Sequence, residues 1–317
     1  MVDNKKLQGE IEKILDRNDV KHVICYRKGT YGFQTTPYFV SKKDDIEKII
    51  FSPLCVNNLS SYLKFEDETE KIGIVVKGCD SRSLVQMIKE KRVPREKLVI
   101  IGVPCTGVID PKKLRQKIPE ELENIDVIEK NDKFIFTRDG KKQKIPKKEL
   151  VFDKCLVCEN PTPLIYNVLI GEKIKPLGKD EYKQVKDFEK KSLDEKWRFW
   201  EKQFSQCIRC YACRNVCPAC YCKECMAEQL NPQWLRRSVN LSENTAWNVM
   251  HAFHLAGRCT DCGECERVCP MDIPLMLLNK KVEKDIKELF DYLAGVDIDE
   301  KPLLAMFKPD DPEEDIK

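Results

Sequence analysis

The C-terminal half of the chain carries one cysteine motif twice. The first copy runs from Cys207 to Pro218 and the second from Cys259 to Pro270, and each reads C-x-x-C-x-x-C-x-x-x-C-P. Thiolates at this spacing hold [4Fe–4S] clusters: three cysteines of a copy bind one cluster, and the fourth binds the cluster of the other copy. We therefore expect two clusters and electron transfer. The first cluster is assigned to Cys207, Cys210, Cys213 and Cys269, and the second to Cys259, Cys262, Cys265 and Cys217.

Three more cysteines follow the first copy directly, namely Cys220, Cys222 and Cys225. One interpretation is an additional metal or cluster site, completed by another cysteine or by a partner chain. Another is that one of them replaces Cys217 as the crossing ligand. A cysteine-rich turn packed near the clusters is the third, because thiols are small and polarisable.

A second set of cysteines lies in the N-terminal half. Cys79 and Cys105 each follow a predicted apolar strand. Parallel strands that end side by side bring such residues to one edge of a sheet, where α/β proteins build their sites. Together with the C-x-x-C of Cys155 and Cys158, they predict a third [4Fe–4S] cluster. The alternative is a set of separate buried thiols and a zinc-holding C-x-x-C.

The abundance of cysteine bounds the class of protein. The chain has 17 cysteines among 317 residues. Disulfides need an oxidising compartment and are dense in small secreted domains, so metal ligation is the better explanation here. No apolar run precedes the first charges, and no segment approaches the roughly 18 apolar residues of a membrane helix. We expect a cytoplasmic protein from an anaerobic source, with Cys25 and Cys55 as core thiols.

Charge and spacing exclude other classes. Charged residues make up 34% of the chain and nearly cancel, at a net charge of +3. Without a basic stripe, we expect no nucleic-acid partner. The spacing of residues picks out no Ser-His-acid set, no paired carboxylates and no phosphate loop. The chemistry is therefore expected to belong to bound cofactors.

Residues 1–172 are predicted to form an α/β domain with a mixed sheet and helices. Strands are predicted over 20–26, 72–76 and 98–103, and a hairpin over 132–145 around Asp139-Gly140. Three helices are predicted: one over 6–17, one that begins after a cap at Asp80, and one that begins at Asp110-Pro111.

Residues 173–204 are expected to be a charged linker with a lead-in helix over 193–204, and residues 205–290 a mainly α-helical two-cluster ferredoxin domain. The 41 residues between Cys217 and Cys259 are too many for a compact bacterial ferredoxin. They contain a predicted helix over 244–256 with Ser242 as its cap. This length is typical of the helix-rich ferredoxins of fumarate- and heterodisulfide-reductase systems. Residues 291–317 are a tail, expected to be disordered after Lys308.

Motifs in the N-terminal half also resemble a known family. The segments Gly102-Val-Pro-Cys105 and Cys155-Leu-Val-Cys158, with an apolar stretch ending at Gly171, are similar to the beta-subunit family of coenzyme F420-reducing hydrogenases and formate dehydrogenases. The resemblance covers roughly residues 70–175 by motif and 205–275 by cluster pattern. It implies an FAD beside a [4Fe–4S] cluster, with electrons passing between clusters and F420 as hydride. The prominent Lys77–Arg82 segment and the lack of a G-x-G-x-x-G are departures from that pattern.

A phosphate-binding segment for such a flavin is predicted from one basic, glycine-containing stretch. Arg27 and Lys28 supply positive charge, while Gly29 and Gly32 let the backbone approach a phosphate. A plain β-turn explains the two glycines equally well.

Two functions remain open at this stage. The first is an iron–sulfur, flavin-containing electron-transfer subunit of an anaerobic multisubunit oxidoreductase of the formate dehydrogenase, hydrogenase or heterodisulfide reductase type. The second is a non-enzymatic, polyferredoxin-like bridging and docking module without flavin. Both require other subunits of a redox complex as partners.

Overall fold

The computed structural model of the chain describes residues 2–30, 33–67, 69–118, 126–138, 141–178, 180–307 and 309. By its internal contacts the chain divides into two units. The first comprises Met1–Arg82 and Val93–Glu181, and the second comprises Ser83–Arg92 and Tyr182–Lys317.

The strands are β1 (Val23–Lys28), β2 (Thr35–Val40), β3 (Ile72–Val76), β4 (Leu98–Gly102), β5 (Asp126–Lys130), β6 (Lys133–Arg138), β7 (Lys141–Pro146) and β8 (Val168–Leu169). The helices are α1 (Asn4–Leu15), α2 (Gly78–Lys89), α3 (Pro111–Lys117), α4 (Asp153–Leu156), α5 (Lys183–Glu189), α6 (Leu193–Ser205), α7 (Ala212–Val216), α8 (Leu241–His254), α9 (Glu264–Arg267) and α10 (Leu275–Phe290).

A mixed sheet in the order β2-β1-β3-β4-β8 forms the centre of the first unit. Within this sheet β1 and β2 pair antiparallel, and the other neighbours are parallel. Every residue of β3 and β4 is buried, which suits short, apolar, β-branched strands covered on both faces. These two strands confirm the predicted ones, and the mixed sheet with helices confirms the expected fold of this half.

The helices of the first unit follow the sequence signals with two corrections. Helix α1 begins and ends two residues before the predicted range 6–17, and it buries Leu7, Ile11 and Ile14 on one face. Helix α3 begins after a side-chain cap from Asp110, with Pro111 in its first turn, as predicted. Helix α2 already begins at Gly78, so Asp80 lies inside its first turn rather than before it. The Asp80 carboxylate accepts a hydrogen bond from the Lys77 amide at 3.0 Å, which satisfies one of the otherwise unpaired N–H groups at the helix start.

A separate antiparallel sheet, β5-β6-β7, completes the first unit. The predicted hairpin corresponds to β6 and β7, and its turn at Asp139-Gly140 lies outside the described residues. Phe134, Phe136 and Ile145 pack with Ile109 and Leu114 in one apolar cluster. Strand β5 has no counterpart in the predictions.

The second unit is built on helices α5 to α10 and the last residues of α2. Helix α6 begins where the lead-in helix is expected, ends one residue later at Ser205, and starts with a capping box between Ser192 and Glu195. Helix α8 is capped by Asn240, not by Ser242 as predicted. The segment expected to be a linker contains α5, whose Val185 is buried. In the described part of the chain, no helix is long and apolar enough to cross a membrane.

Cys25 and Cys55 are fully buried in the first unit, and burial raises the pKa of the Cys25 thiol to about 12. An unfolded chain ionises this thiol from about pH 9, whereas the folded chain keeps it neutral, so folding stability falls as the pH rises above that value. When the pH rises from about 8 to about 10, we expect the free energy of unfolding to fall by about 1 kcal/mol more in the wild type than in Cys25→Val. Urea unfolding at both pH values measures it.

The control for this prediction is Val40→Ala, which truncates a buried residue of the neighbouring strand β2. It should lower stability by a similar amount at every pH, because valine does not titrate. Equal alkaline losses in wild type and Cys25→Val would contradict the prediction.

Candidate iron–sulfur sites

The two copies of the cysteine motif share a backbone conformation as well as a spacing. The third and fifth residues of both copies have positive φ: +53° at Arg209 and +56° at Tyr211, +55° at Asp261 and +70° at Gly263. Such left-handed residues are uncommon outside glycine. Successive N–H groups in conformations of this kind form concave sites for anions. Both loops are therefore shaped to surround an anionic group.

The four cysteines predicted for the first cluster lie around one cavity. Its lining includes Cys207, Cys210, Cys213 and Cys269. Burial is the main cause that raises the pKa of the Cys213 thiol to about 12, and the charges of the other three cysteines contribute to this rise. Since only nearby charges act in this way, the four sulfur atoms form one group.

The four cysteines predicted for the second cluster are also brought together. Burial raises the pKa of Cys265 well above its usual range, and Cys262, Cys259 and Cys217 add to the effect. Cys217 of the first copy therefore lies with the second set, while Cys269 of the second copy lies with the first. Cys213 also acts on Cys265, so the two sets are neighbours.

A buried cation stands beside the first set. Arg209 lines the cavity and is 8% exposed. Its guanidinium donates to the Tyr211 hydroxyl and to the Arg236 carbonyl, at 2.7 and 2.9 Å. Its Nη1 atom is buried and lies 3.8 Å from the Glu243 carboxylate, beyond hydrogen-bond distance. A buried guanidinium among the residues that line the cavity fits a site for an anionic iron–sulfur cluster.

The third set of cysteines meets at the carboxyl edge of the parallel strands, as the order of strands predicts. Cys79 lies in the first turn of α2 and Cys105 lies just past β4. Burial raises the pKa of Cys105 to about 12, with Cys155 and Cys158 among the further causes. Cys105 in turn raises the pKa of Cys79, after burial and Asp80. The four thiols thus lie close enough to affect one another's pKa values.

Two glycines let the C-x-x-C segment approach this edge. A Cβ atom at Gly78 would lie 1.5 Å from the Asn160 carbonyl oxygen, and one at Gly178 would lie 2.4 Å from the Val157 Cα atom. The Cys105 amide also donates to the Pro161 carbonyl at 2.8 Å. The segment that carries Cys155 and Cys158 therefore packs closely against the backbone of Gly78, Cys105 and Gly178.

Lys77 is a functional candidate that the sequence predictions missed. Its side chain is 2% exposed, and its ammonium donates to the Tyr26 hydroxyl and to the Asn57 carbonyl, with Asp80 at 3.0 Å. Burial lowers the pKa of Lys77, but Asp80, Cys79 and Cys105 outweigh burial and raise it. A buried positive charge therefore adjoins the third set. The only local signal is its position directly after a fully apolar strand.

The cysteines that follow the first motif have separate partners. The Cys220 thiol lies 3.3 Å from His251 Nε2, Cys225 lies near the Arg214 guanidinium and contributes to the raised pKa of Arg214, and Cys222 is exposed. His251 stacks on Trp247 with ring centroids 4.9 Å apart. Burial lowers its pKa to about 4, so the ring is neutral at ordinary pH. An additional site on these three cysteines stays a prediction.

The basic segment predicted to bind flavin phosphate lies in the β1–β2 hairpin. The Gly29 amide donates to the Gln34 carbonyl at 2.8 Å, and the Arg27 guanidinium lies 4.8 Å from the centre of the Tyr38 ring. Gly32 lies outside the described residues. The Gly29 amide is thus already engaged, and the prediction depends on the side chains of Arg27 and Lys28.

Two family descriptions match the chain. Residues 69–221 match the C-terminal region of the beta subunits of coenzyme F420 hydrogenase/dehydrogenase, and residues 206–274 match the 4Fe-4S dicluster domain. The first match covers the third cysteine set, and the second covers both copies of the duplicated motif.

Curated relatives match over nearly the whole chain. The F420-dependent formate dehydrogenase subunit beta of Methanocaldococcus jannaschii is 25% identical, with 92% of this chain and 91% of the relative covered. The F420-dependent formate dehydrogenase 1 subunit beta of Methanococcus maripaludis is 26% identical, with 92% and 90% covered. A chain of the F420-reducing [NiFe] hydrogenase complex from Methanosarcina barkeri aligns at 18% identity and a TM-score of 0.39, over 46% of this chain and 56% of that one. By the family matches and the curated relatives, the chain is similar to the beta subunits of coenzyme F420 hydrogenase/dehydrogenase, and it is an iron–sulfur electron-transfer subunit with a 4Fe-4S dicluster domain.

Proposed function

We propose that the chain carries electrons within a redox complex through two [4Fe–4S] clusters in its second unit and a third in its first. The observation that carries this proposal is the sorting of the duplicated cysteines into two neighbouring sets of four, with Cys217 and Cys269 exchanged between the copies. When bound, a [4Fe–4S] cluster accepts and releases single electrons. The protein supplies the ligands, their spacing and the surrounding charge.

The two neighbouring sets divide the ligands of the dicluster domain. Cys207, Cys210, Cys213 and Cys269 hold the first cluster, and Cys259, Cys262, Cys265 and Cys217 hold the second. The exchange of one cysteine makes each site depend on both copies of the motif. Because Cys213 and Cys265 lie near each other, the arrangement supports electron exchange between the two clusters.

The third cluster is proposed for Cys79, Cys105, Cys155 and Cys158. Four thiolates placed at a buried edge would carry a large uncompensated negative charge, which is costly in a low-dielectric site. The Lys77 ammonium supplies a fixed positive charge beside Cys79 and Cys105. The zinc alternative places a single metal ion on the C-x-x-C, and iron analysis distinguishes the two.

The partners proposed are other subunits of a formate dehydrogenase, hydrogenase or heterodisulfide reductase type of complex. The relatives from Methanocaldococcus jannaschii and Methanococcus maripaludis are beta subunits of F420-dependent formate dehydrogenases, and this supports a role between such a partner and a two-electron carrier. The flavin that converts between one- and two-electron steps is proposed at Arg27 and Lys28. The bridging module without flavin is the competing function.

Flavin content separates the two functions. Protein purified without oxygen and then denatured should release about one FAD per chain, because one flavin suffices to join single-electron and hydride steps. Absorbance and fluorescence of the supernatant measure it. An iron-replete protein that releases no flavin would contradict the flavin proposal and favour the bridging module.

Iron content tests the third cluster. Wild-type protein should hold about twelve iron atoms per chain, four for each cluster. Cys79→Ser and Cys105→Ser should each lower the content toward about eight, because the loss of one of the four thiolate ligands weakens the hold on the cluster. Plasma mass spectrometry of iron and zinc, normalised to protein, gives the numbers.

The matched control for the iron count is Cys25→Ala, which removes a buried thiol outside every proposed site. It should keep about twelve iron atoms. About eight iron atoms together with one zinc in the wild type would establish the zinc alternative instead.

The close approach at Gly78 gives a test that leaves every ligand in place. Gly78→Ala adds a Cβ atom 1.5 Å from the Asn160 carbonyl oxygen, so Cys79 and the C-x-x-C segment must move apart. We expect the loss of about four iron atoms, with the spectrum of the dicluster domain retained. Gly9→Ala is the control, because a Cβ atom there meets nothing within 4 Å and alanine favours helix α1. Full iron content in Gly78→Ala would refute the proposed geometry.

A further inference from the structure

A buried asparagine on α10 contacts one sulfur of the second cysteine set. Asn279 is 5% exposed, and its Nδ2 atom lies 3.6 Å from Cys265 Sγ as a hydrogen-bond donor. Sulfur accepts hydrogen bonds at longer distances than oxygen, so this separation is an N–H···S bond. Cys265 is itself buried and lies with Cys259, Cys262 and Cys217.

Contacts on both sides of Asn279 hold it in this position. The Met276 amide donates to the Glu266 carboxylate at 2.9 Å, and the Lys280 ammonium donates to the Asp261 carboxylate at 3.0 Å. Both acceptors belong to the second copy of the motif. The turn of α10 that carries Asn279 is therefore tied to the same loop as Cys265, and the amide is preorganised toward the sulfur.

A buried asparagine beside the first cysteine set is used differently. Asn244 on α8 is 1% exposed, and its Nδ2 atom donates to the carbonyls of Phe204 and Cys207 at 2.9 and 2.8 Å. These bonds fix the backbone before the first motif. The amide of Asn279 is instead directed at a ligand atom.

We propose that Asn279 raises the reduction potential of the cluster held by Cys259, Cys262, Cys265 and Cys217. This rests on the proposed function of that site. One added electron increases the negative charge on the sulfur ligands, so a hydrogen bond to Cys265 Sγ is stronger in the reduced state and stabilises it. The proton stays on the Asn279 nitrogen, and no bond is broken. Asn279 is a tuning residue that acts through Cys265, and its effect is specific to the second cluster.

The test is a potentiometric titration of the anaerobically purified full chain, followed by electron paramagnetic resonance. Asn279→Leu removes the donor at similar volume, and Asn279→Asp replaces it with a carboxylate. One of the two dicluster midpoint potentials should move to more negative values in Asn279→Leu and further in Asn279→Asp. The other midpoint, from the same molecules, is the internal control and should stay in place.

Iron content separates failure of this inference from failure of the proposed function. If Asn279→Leu retains full iron and both midpoints equal the wild-type values, the tuning role is wrong while the clusters stand. Equal shifts of both midpoints would also overturn it, since packing of α10 alone would explain them. A wild type without two dicluster signals would refute the proposed function itself.

A second measurement needs no variant, in case Asn279→Leu does not fold. Reduced wild-type protein labelled with ¹⁵N-asparagine should show, by pulsed electron paramagnetic resonance, a ¹⁵N nucleus coupled to a dicluster spin. Asn279 donates to a ligand sulfur, whereas the Asn244 amide is bonded to carbonyl oxygens. Absence of any such coupling would overturn the inference.

Discussion

Burial of the cysteine thiols is the constraint on which the sites of this protein depend. Desolvation raises the pKa of Cys105 and Cys213 to about 12, so the protein without metal holds these groups as neutral thiols at ordinary pH. Cluster ligation requires thiolates, and binding must therefore release protons. The buried guanidinium of Arg209 and the buried ammonium of Lys77 lower the cost of placing negative charge there.

The two units reach the same requirement by different routes. In the first unit, parallel strands β3 and β4 deliver Cys79 and Cys105 to one sheet edge, and glycine contacts admit the C-x-x-C segment. In the second unit, a duplicated loop supplies the ligands. The short helix α7 follows the first loop, and the short helix α9 follows the second. The first route depends on contacts distant in sequence, whereas the second is mostly local. This difference explains why the duplicated motif is readable from spacing alone.

The sequence predicts best where one local rule decides the outcome. Strand β3 has the predicted bounds because five consecutive buried positions are apolar, and α3 starts at Asp110-Pro111 because that pair both caps and begins a helix. Strand β2 is not predicted because its first residues are polar and give no clear pattern, and strand β8 is not predicted because it has only two residues.

At the sites, the crossing of Cys217 and Cys269 is a prediction that the motif alone makes. The burial of Lys77 was not predictable, because its partners Tyr26 and Asn57 come from distant segments. The cap of α8 shows the same limit: Asn240 and Ser242 are both good caps, and local sequence does not choose between them. Asn279 gives no local signal either, since its acceptor lies 14 residues earlier.

The left-handed positions of the two motifs differ in a way that local propensity does not explain. The second copy has Gly263 at its fifth residue, where positive φ carries little cost, but the first copy has Tyr211, where strain costs on the order of 1 kcal/mol. The Tyr211 ring packs edge-on against Trp247 at 4.8 Å, and its hydroxyl accepts both hydrogen bonds from Arg209. Edge-to-face aromatic pairs contribute about 0.5–1.5 kcal/mol beyond burial, which is enough to offset the strain. The first loop thus accepts an unfavourable backbone angle because the same residue anchors α8 and fixes the buried guanidinium beside the cavity.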